Sequence, residues 1–187
     1  KGVLVELYDS LPQKTERRAS EMSLRIRNLK RSLADVANGS STPLYRVYHG
    51  IDMDLFHNGV PARKPAEPYR LLTVARMTPK KGLPVVHRAI AALVRQGLTV
   101  EHTLIGAGAD RDKILALIQS LGLGSVTRLL GTLPHEEVLD CYRRADCFVL
   151  GCLVAEDGDR DGIPNVLVES MAMGVPVVAT RVSAIPE

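Results

Sequence analysis

From residue 71 onward, short apolar runs alternate with stretches in which apolar side chains recur every three or four positions. The runs 71–75, 101–105, 126–130 and 147–150 read as strands, each too short for a helix. The intervening stretches 82–96, 110–120 and 134–144 read as helices. A further helix is expected to begin at Pro164, whose fixed φ and missing N–H suit a first helical position. It should run to about residue 173 and stop at Gly174, a left-handed cap, before a short buried strand over 175–179. Such alternation predicts an α/β chain with a doubly wound parallel sheet and helices on both faces. Ligands in such sheets sit beyond the carboxyl ends of the strands where the order reverses, here between the strands at 71–75 and 147–150.

Upstream the pattern changes. Met22, Ile26, Leu29 and Leu33 lie on one face of a helix over 15–38 that Gly39 would end, and Lys14, Arg17, Arg18, Arg25, Arg27, Lys30 and Arg31 make the other face basic. That face is either a solvated side of a packed helix or a surface attracted to anionic lipid, a peripheral membrane contact. Residues 44–48 read as a strand, and 57–68, with Pro61, Pro65 and Pro68, as a surface connection. Two regions follow: an N-terminal segment over 1–43, part of an interdomain region, and an α/β domain over 44–187. The chain begins without Met and stops just after a strand, so it reads as a piece of a longer protein.

Composition narrows the partners. Of the 187 residues, 45% are hydrophobic and 24% charged, which suits a globular domain with a core. A net charge of +3, with 4% aromatic residues and no Trp, argues against nucleic acid. Cys141, Cys147 and Cys152 show no paired metal-ligand spacing and read as reduced, buried thiols. No run has the length of a membrane span, and no leader pattern opens the chain, so a cytoplasmic protein is expected. None of the histidines is paired at metal-ligand spacing, and no metal is expected.

The candidate chemistry lies in the loops. The helix starting near Pro164 offers unpaired N–H groups and a partial positive charge, so Gly162, Ile163, Pro164 and Asn165 mark a place where an anion such as phosphate can dock. Asn165 and Glu169 are four apart and share a face, with Asp161 in the loop before them. Carboxylates beside a phosphate are useful if they accept hydrogen bonds from sugar hydroxyls; otherwise both are ordinary solvated residues. Arg76 leaves the 71–75 strand, and Lys81 sits at the next helix start, where a cation opposes the macrodipole unless an anion is shared. Gly106 and Gly108 end the 101–105 strand in a G-x-G turn, but Arg111 stands where a dinucleotide fingerprint has its third Gly. Gly50 in a turn would let backbone approach a ligand.

Several of these segments resemble one family in the same order along residues 45–187. Asp161, seven residues, Glu169 and then Gly174-Val175-Pro176-Val177-Val178 resemble the C-terminal domain of GT-B retaining glycosyltransferases of family four (group 1), where both acidic positions are Glu. Asp161 keeps the charge and is one methylene shorter. Val74-Ala75-Arg76-Met77-Thr78-Pro79-Lys80-Lys81-Gly82 resembles the family's V-G-R-L…K-G segment, Gly106-Ala107-Gly108 its G-x-G turn, and His49-Gly50-Ile51-Asp52 with Phe56 the opening of its C-terminal domain.

The resemblance implies the Rossmann-like half of a GT-B fold, incomplete at its C-terminus, that binds a nucleoside-diphosphate sugar. It implies Arg76 and Lys81 on the donor diphosphate, Glu169 on the ribose and Asp161 on the transferred sugar. The main chain from Gly162 and Ile163 through Pro164 to Asn165 would serve the sugar or diphosphate, and the turn with Leu133 would lie beside the base. It further implies no metal, and a glycan or lipid-linked acceptor held by an N-terminal domain outside this chain. A nucleotide-sugar epimerase or phosphorylase of the same fold, an NAD-dependent oxidoreductase and a non-catalytic nucleotide-binding module remain alternatives.

Overall fold

The computed structural model describes residues 50–56 and 64–187. The basic helix expected over 15–38, the strand over 44–48 and the start of the 57–68 connection lie outside the described residues. The chain divides into two compact units; every element below belongs to the one that includes Ile51–Glu187, and Gly50 is the described residue of the other.

Strands β1 (Tyr69–Val74), β2 (Val100–Ile105), β3 (Thr127–Gly131), β4 (Cys147–Leu150) and β5 (Val177–Ala179) form one five-stranded sheet in the order β3-β2-β1-β4-β5. All four pairings are parallel, as the alternation of strand and helix requires. The order reverses between β1 and β4, the expected place. Helices α1 (Leu83–Arg95), α2 (Arg111–Ser120), α3 (His135–Arg144) and α4 (Asn165–Ala172) connect the strands, with single 3₁₀ turns at Met53–Phe56 and Pro79–Lys81.

Both faces of the sheet are covered. In α1 the buried residues Leu83, Val86, His87, Ile90 and Ala91 follow helical spacing, and His87 meets His102 of β2 with ring centroids 5.3 Å apart. His102 pairs in register with Leu71, whereas Leu72 pairs with Phe148, so α1 and Phe148 lie on opposite faces. On the Phe148 face, Tyr142 of α3 packs at 5.8 Å from the Phe148 ring. Leu72, Leu104, Tyr142 and Phe148 are all at most 1% exposed and form the core.

The structure shifts three expectations. Pro164 caps α4 from outside, with ψ 127 in the extended region, and the helix begins at Asn165. Proline's fixed φ fits both places, so sequence cannot separate them. Gly174 does end α4 in the left-handed region, φ 72. The strand expected over 175–179 contracts to Val177–Ala179 and is half-buried, because Val175 and Pro176 complete the turn out of the helix. Lys81 is not at the start of α1: it closes the 3₁₀ turn, and Gly82, φ 56, stands between them.

Candidate functional site

The exit loop of β1 is fixed from both sides by main chain. Toward β2, Met77 N–H donates to Ala107 O at 2.9 Å and Asp110 N–H to Met77 O at 3.1 Å. A Cβ on Gly106 would overlap the Ala75 carbonyl, and one on Gly108 would come within 2.7 Å of Met77 N. The G-x-G turn is therefore glycine because two loops touch there. Toward β4, Leu153 N–H donates to Lys80 O at 2.9 Å, and Gly82 and Gly151 approach so closely that a Cβ on Gly151 would stand 2.6 Å from Gly82 O.

Beyond this clamp lie the charged groups. Lys81 Nζ is 2.7 Å from Asp161 Oδ2, while Lys80 Nζ is 3.6 Å from Asp161 Oδ1 and 3.1 Å from Asp159 Oδ2. Three of these side chains are largely buried: Lys80, Lys81 and Asp161 are 16%, 13% and 17% exposed. The thiol of Cys152, 3.7 Å from Asp161 Oδ2, completes the surroundings. Partial burial pushes the Asp161 carboxyl up, but the hydrogen bond and charge of Lys81, with help from Lys80 and Cys152, outweigh it and hold the group below the usual carboxylate value. Burial and the neighbouring Asp161 charge push the Cys152 thiol up to about 11, so it stays protonated. Arg76, at the β1 exit, is exposed and forms no ion pair with a described residue.

Glu169 lies on the next element. Its Oε2 is 3.2 Å from the hydroxyl of Tyr142, which is also 3.2 Å from Val166 O, so one proton is offered to two acceptors. Burial, and then the Glu169 charge, push the Tyr142 phenol well above its ordinary value. The structure thus joins Lys81 to Asp161 directly, and the polar partner it gives Glu169 is Tyr142. Gly162 and Asn165 are exposed, Ile163 is half-buried and Pro164 buried, and no side chain caps α4.

The turn after β3 lies at the same end of the sheet because β2 and β3 are parallel, and a bulge shifts its register. Leu104 pairs with Leu129 but Ile105 with Gly131, so Leu130 is the extra residue. Gly106 N–H then donates to Gly131 O at 2.7 Å, and half-buried Leu133 follows in the chain after Thr132. His135 is exposed and its ring meets Phe56 edge to face at 5.8 Å, a packing role. Gly50 is exposed. Among the described residues no three His, Cys, Asp or Glu side chains converge as metal ligands, and no helix is long and apolar enough to cross a membrane.

Sequence reasoning missed Lys80, Gly151, Tyr142 and Cys152. Lys80 is adjacent to a residue it did select, and the doubled lysine was the available signal. Gly151 and Tyr142 make their contacts across long sequence separations, and the thiol of Cys152 meets Asp161 through the fold of an irregular loop, so none of the three leaves a local pattern.

Residues 60–187 match the family described as glycosyl transferases group 1. The chain belongs to that family. This group 1 glycosyltransferase chain is 39% identical over 138 residues to the putative colanic acid biosynthesis glycosyltransferase WcaL of Escherichia coli strain K12, covering 74% of the chain and 34% of that protein. It is 43% identical over 121 residues to the amylovoran biosynthesis glycosyltransferase AmsK of Erwinia amylovora, covering 65% of the chain and 30% of that protein. The chain therefore spans about a third of the length of these curated relatives. A crystal structure of a mutant TarM from S. aureus, in complex with Fondaparinux, alpha-GlcNAc-glycerol and UDP, aligns with TM-score 0.62 and 20% identity over 80% of this chain and 28% of that one. At that identity the likeness is one of fold, and it agrees with the GT-B C-terminal domain expected from the sequence.

Proposed function

We infer that this domain holds the nucleoside-diphosphate sugar of a retaining glycosyltransferase, and that the whole enzyme passes the sugar to a glycan or lipid-linked acceptor of a polysaccharide pathway. The observation that carries the reading is the contact of Lys81 with Asp161. It ties the exit loop of β1 to the loop feeding α4 across the point where the strand order reverses, and exposed Arg76 stands at the same strand end.

A diphosphate arriving there meets the Arg76 guanidinium, the Lys81 ammonium and the main chain of Gly162, Ile163 and Asn165 leading into α4. Those cations oppose the charge that grows on the departing nucleoside diphosphate, so they act most strongly as the bond to the sugar breaks. Asp161, released from Lys81, accepts hydrogen bonds from the transferred sugar, and Glu169 from the ribose. Gly106 and Gly108 keep backbone thin beside the donor, and the turn at Leu133 lies along the base. The charge is met by side chains and amides, so the reading requires no metal. TarM's UDP and the polysaccharide names of WcaL and AmsK point the same way. The basic stretch from Lys14 to Arg31 would suit an enzyme working at an anionic membrane surface.

The test is a thermal-shift panel of UDP-, GDP- and ADP-sugars, since a ligand of the folded state raises the melting temperature. One class should raise it, Arg76→Ala and Lys81→Ala should lose most of the rise, and His135→Ala should keep it. A panel without any shift would overturn the reading.

A further inference from the structure

Lys80 grips the acidic segment at both of its ends. Its carbonyl accepts the Leu153 N–H at 2.9 Å, and its ammonium reaches Asp159 at 3.1 Å and Asp161 at 3.6 Å. Between those points the segment closes on itself: Ala155 N–H donates to Asp159 O, Gly158 N–H to Ala155 O and Asp159 N–H to Asp157 Oδ1, each at 2.9 Å. A turn so self-contained needs an external anchor to set where Asp161 stands, and Lys80 and Lys81 supply the cationic ones among the described residues. Two consecutive lysines engage the two oxygens of one carboxylate.

We propose that Lys80 is the positioning residue of the donor site: it stays on Asp159 and beside Asp161 while Lys81 leaves Asp161 for the incoming diphosphate. This rests on the donor-site reading above. Without Lys80, the departure of Lys81 would strand a largely buried carboxylate with no cation, an expensive arrangement. With it, Asp161 keeps both its charge and its place, ready for sugar hydroxyls. The doubling of the lysine then has a division of labour: Lys81 serves the ligand and Lys80 serves the loop.

Two measurements on the 187-residue chain test this. Amide hydrogen exchange over the 154–161 segment, without ligand, should quicken in Lys80→Met and return toward wild type in Lys80→Arg. Calorimetric titration with the nucleotide sugar that shifts the wild type most should show Lys80→Met weakened by about tenfold, the loss of one charge-assisted contact. Lys80→Arg should recover most of that. Asp159→Asn decides between positioning and direct contact with phosphate. If Lys80 positions, Asp159→Asn weakens binding too, and the double variant is no worse than either single one. If Lys80 touches phosphate itself, Asp159→Asn leaves binding unchanged or tightens it, and the proposal is overturned. A lowered melting temperature with unchanged affinity in Lys80→Met would also overturn it. Should the wild type bind no nucleotide sugar, the donor reading falls and takes the ligand role of Lys80 with it, whereas the exchange data still decide whether Lys80 anchors the loop.

Discussion

Gly82 and Gly151 touch backbone to backbone, so that a Cβ on either would collide with the carbonyl oxygen of the other. Gly82 also holds φ 56, a left-handed conformation that L side chains resist. This contact brings the β1 exit loop against the end of β4, and the two lysines just before Gly82 thereby reach Asp161.

Gly82→Ala should therefore destabilise by more than about 2 kcal/mol, combining strain and overlap. Gly174→Ala is the comparison: φ is 72 there, but open space surrounds the Cβ, so only the strain of about 1 kcal/mol remains. Urea unfolding of both variants measures the difference. Equal losses would mean that the two loops move apart at little cost.

The second prediction concerns acid. His87 Nδ1 lies 2.8 Å from Leu83 O and so carries that ring's proton. Thr73 donates to Val149 O at 2.8 Å, so it must accept from His102 Nε2 at 3.0 Å. Each ring is left with a buried imine nitrogen that has no partner among the described residues. Burial, and then the neighbouring His87, lower the His102 value to about 3, and burial lowers His87 as well. The folded value is below the unfolded one of about 6.5, so the unfolded chain takes up protons first as pH falls. Stability from this pair is complete above that unfolded value and drains away toward pH 3, by about 1.4 kcal/mol per unit for His102. His102→Gln keeps a donor for Thr73 and cannot titrate. Its urea midpoint should fall less than that of the wild type between about pH 7.5 and about pH 5.

That pair shows where sequence reading reached and where it stopped. The periodicity around His87 and the alternation around His102 place one on a helix and the other in a strand, and both placements hold. Nothing in either pattern says that the rings meet, because periodicity reports which face is buried and not what it is buried against. The doubly wound sheet and the place where its order reverses were legible for the converse reason: parallel strands joined by single helices admit few topologies. Arg76, Lys81, Asp161 and Glu169 stood out through local wording. Lys80, however, differs from Lys81 only by the turn of a 3₁₀ segment that directs it toward Asp159 as well. The short Asp161 side chain still reaches Lys81 because main-chain contacts have already drawn the loops together.

Tyr142→Phe should separate packing from site chemistry. The ring keeps its place against Phe148, while Val166 O and Glu169 lose the hydroxyl between them. Stability should fall by about 1 kcal/mol, the ordinary worth of a buried hydrogen bond. If Glu169 holds the ribose, its looser carboxylate should also weaken nucleotide-sugar binding, by roughly threefold to tenfold. Denaturant unfolding and calorimetry on the same preparation distinguish the effects. Unchanged affinity would place Glu169's orientation under other control.

Asp161→Asn offers the sharpest test of the charge arrangement, because it predicts opposite signs for two ligands. Without ligand the Asp161 carboxylate already neutralises Lys81, so a diphosphate must compete with it for that ammonium. Removing the charge ends the competition, and a nucleoside diphosphate that carries no sugar should bind more tightly, by about threefold to tenfold at low salt. A nucleotide sugar gains the same relief but loses the carboxylate that accepts its hydroxyls, and should bind more weakly than to the wild type. Salt should narrow the first effect, which is a long-range attraction, more than the second, which is a matter of hydrogen bonds. Titrations with the diphosphate and with the corresponding nucleotide sugar, at two ionic strengths, read both signs. If both ligands weakened, Asp161 would act by holding Lys81 in place; if both tightened, the carboxylate would be a competitor for the ammonium with no part in holding sugar.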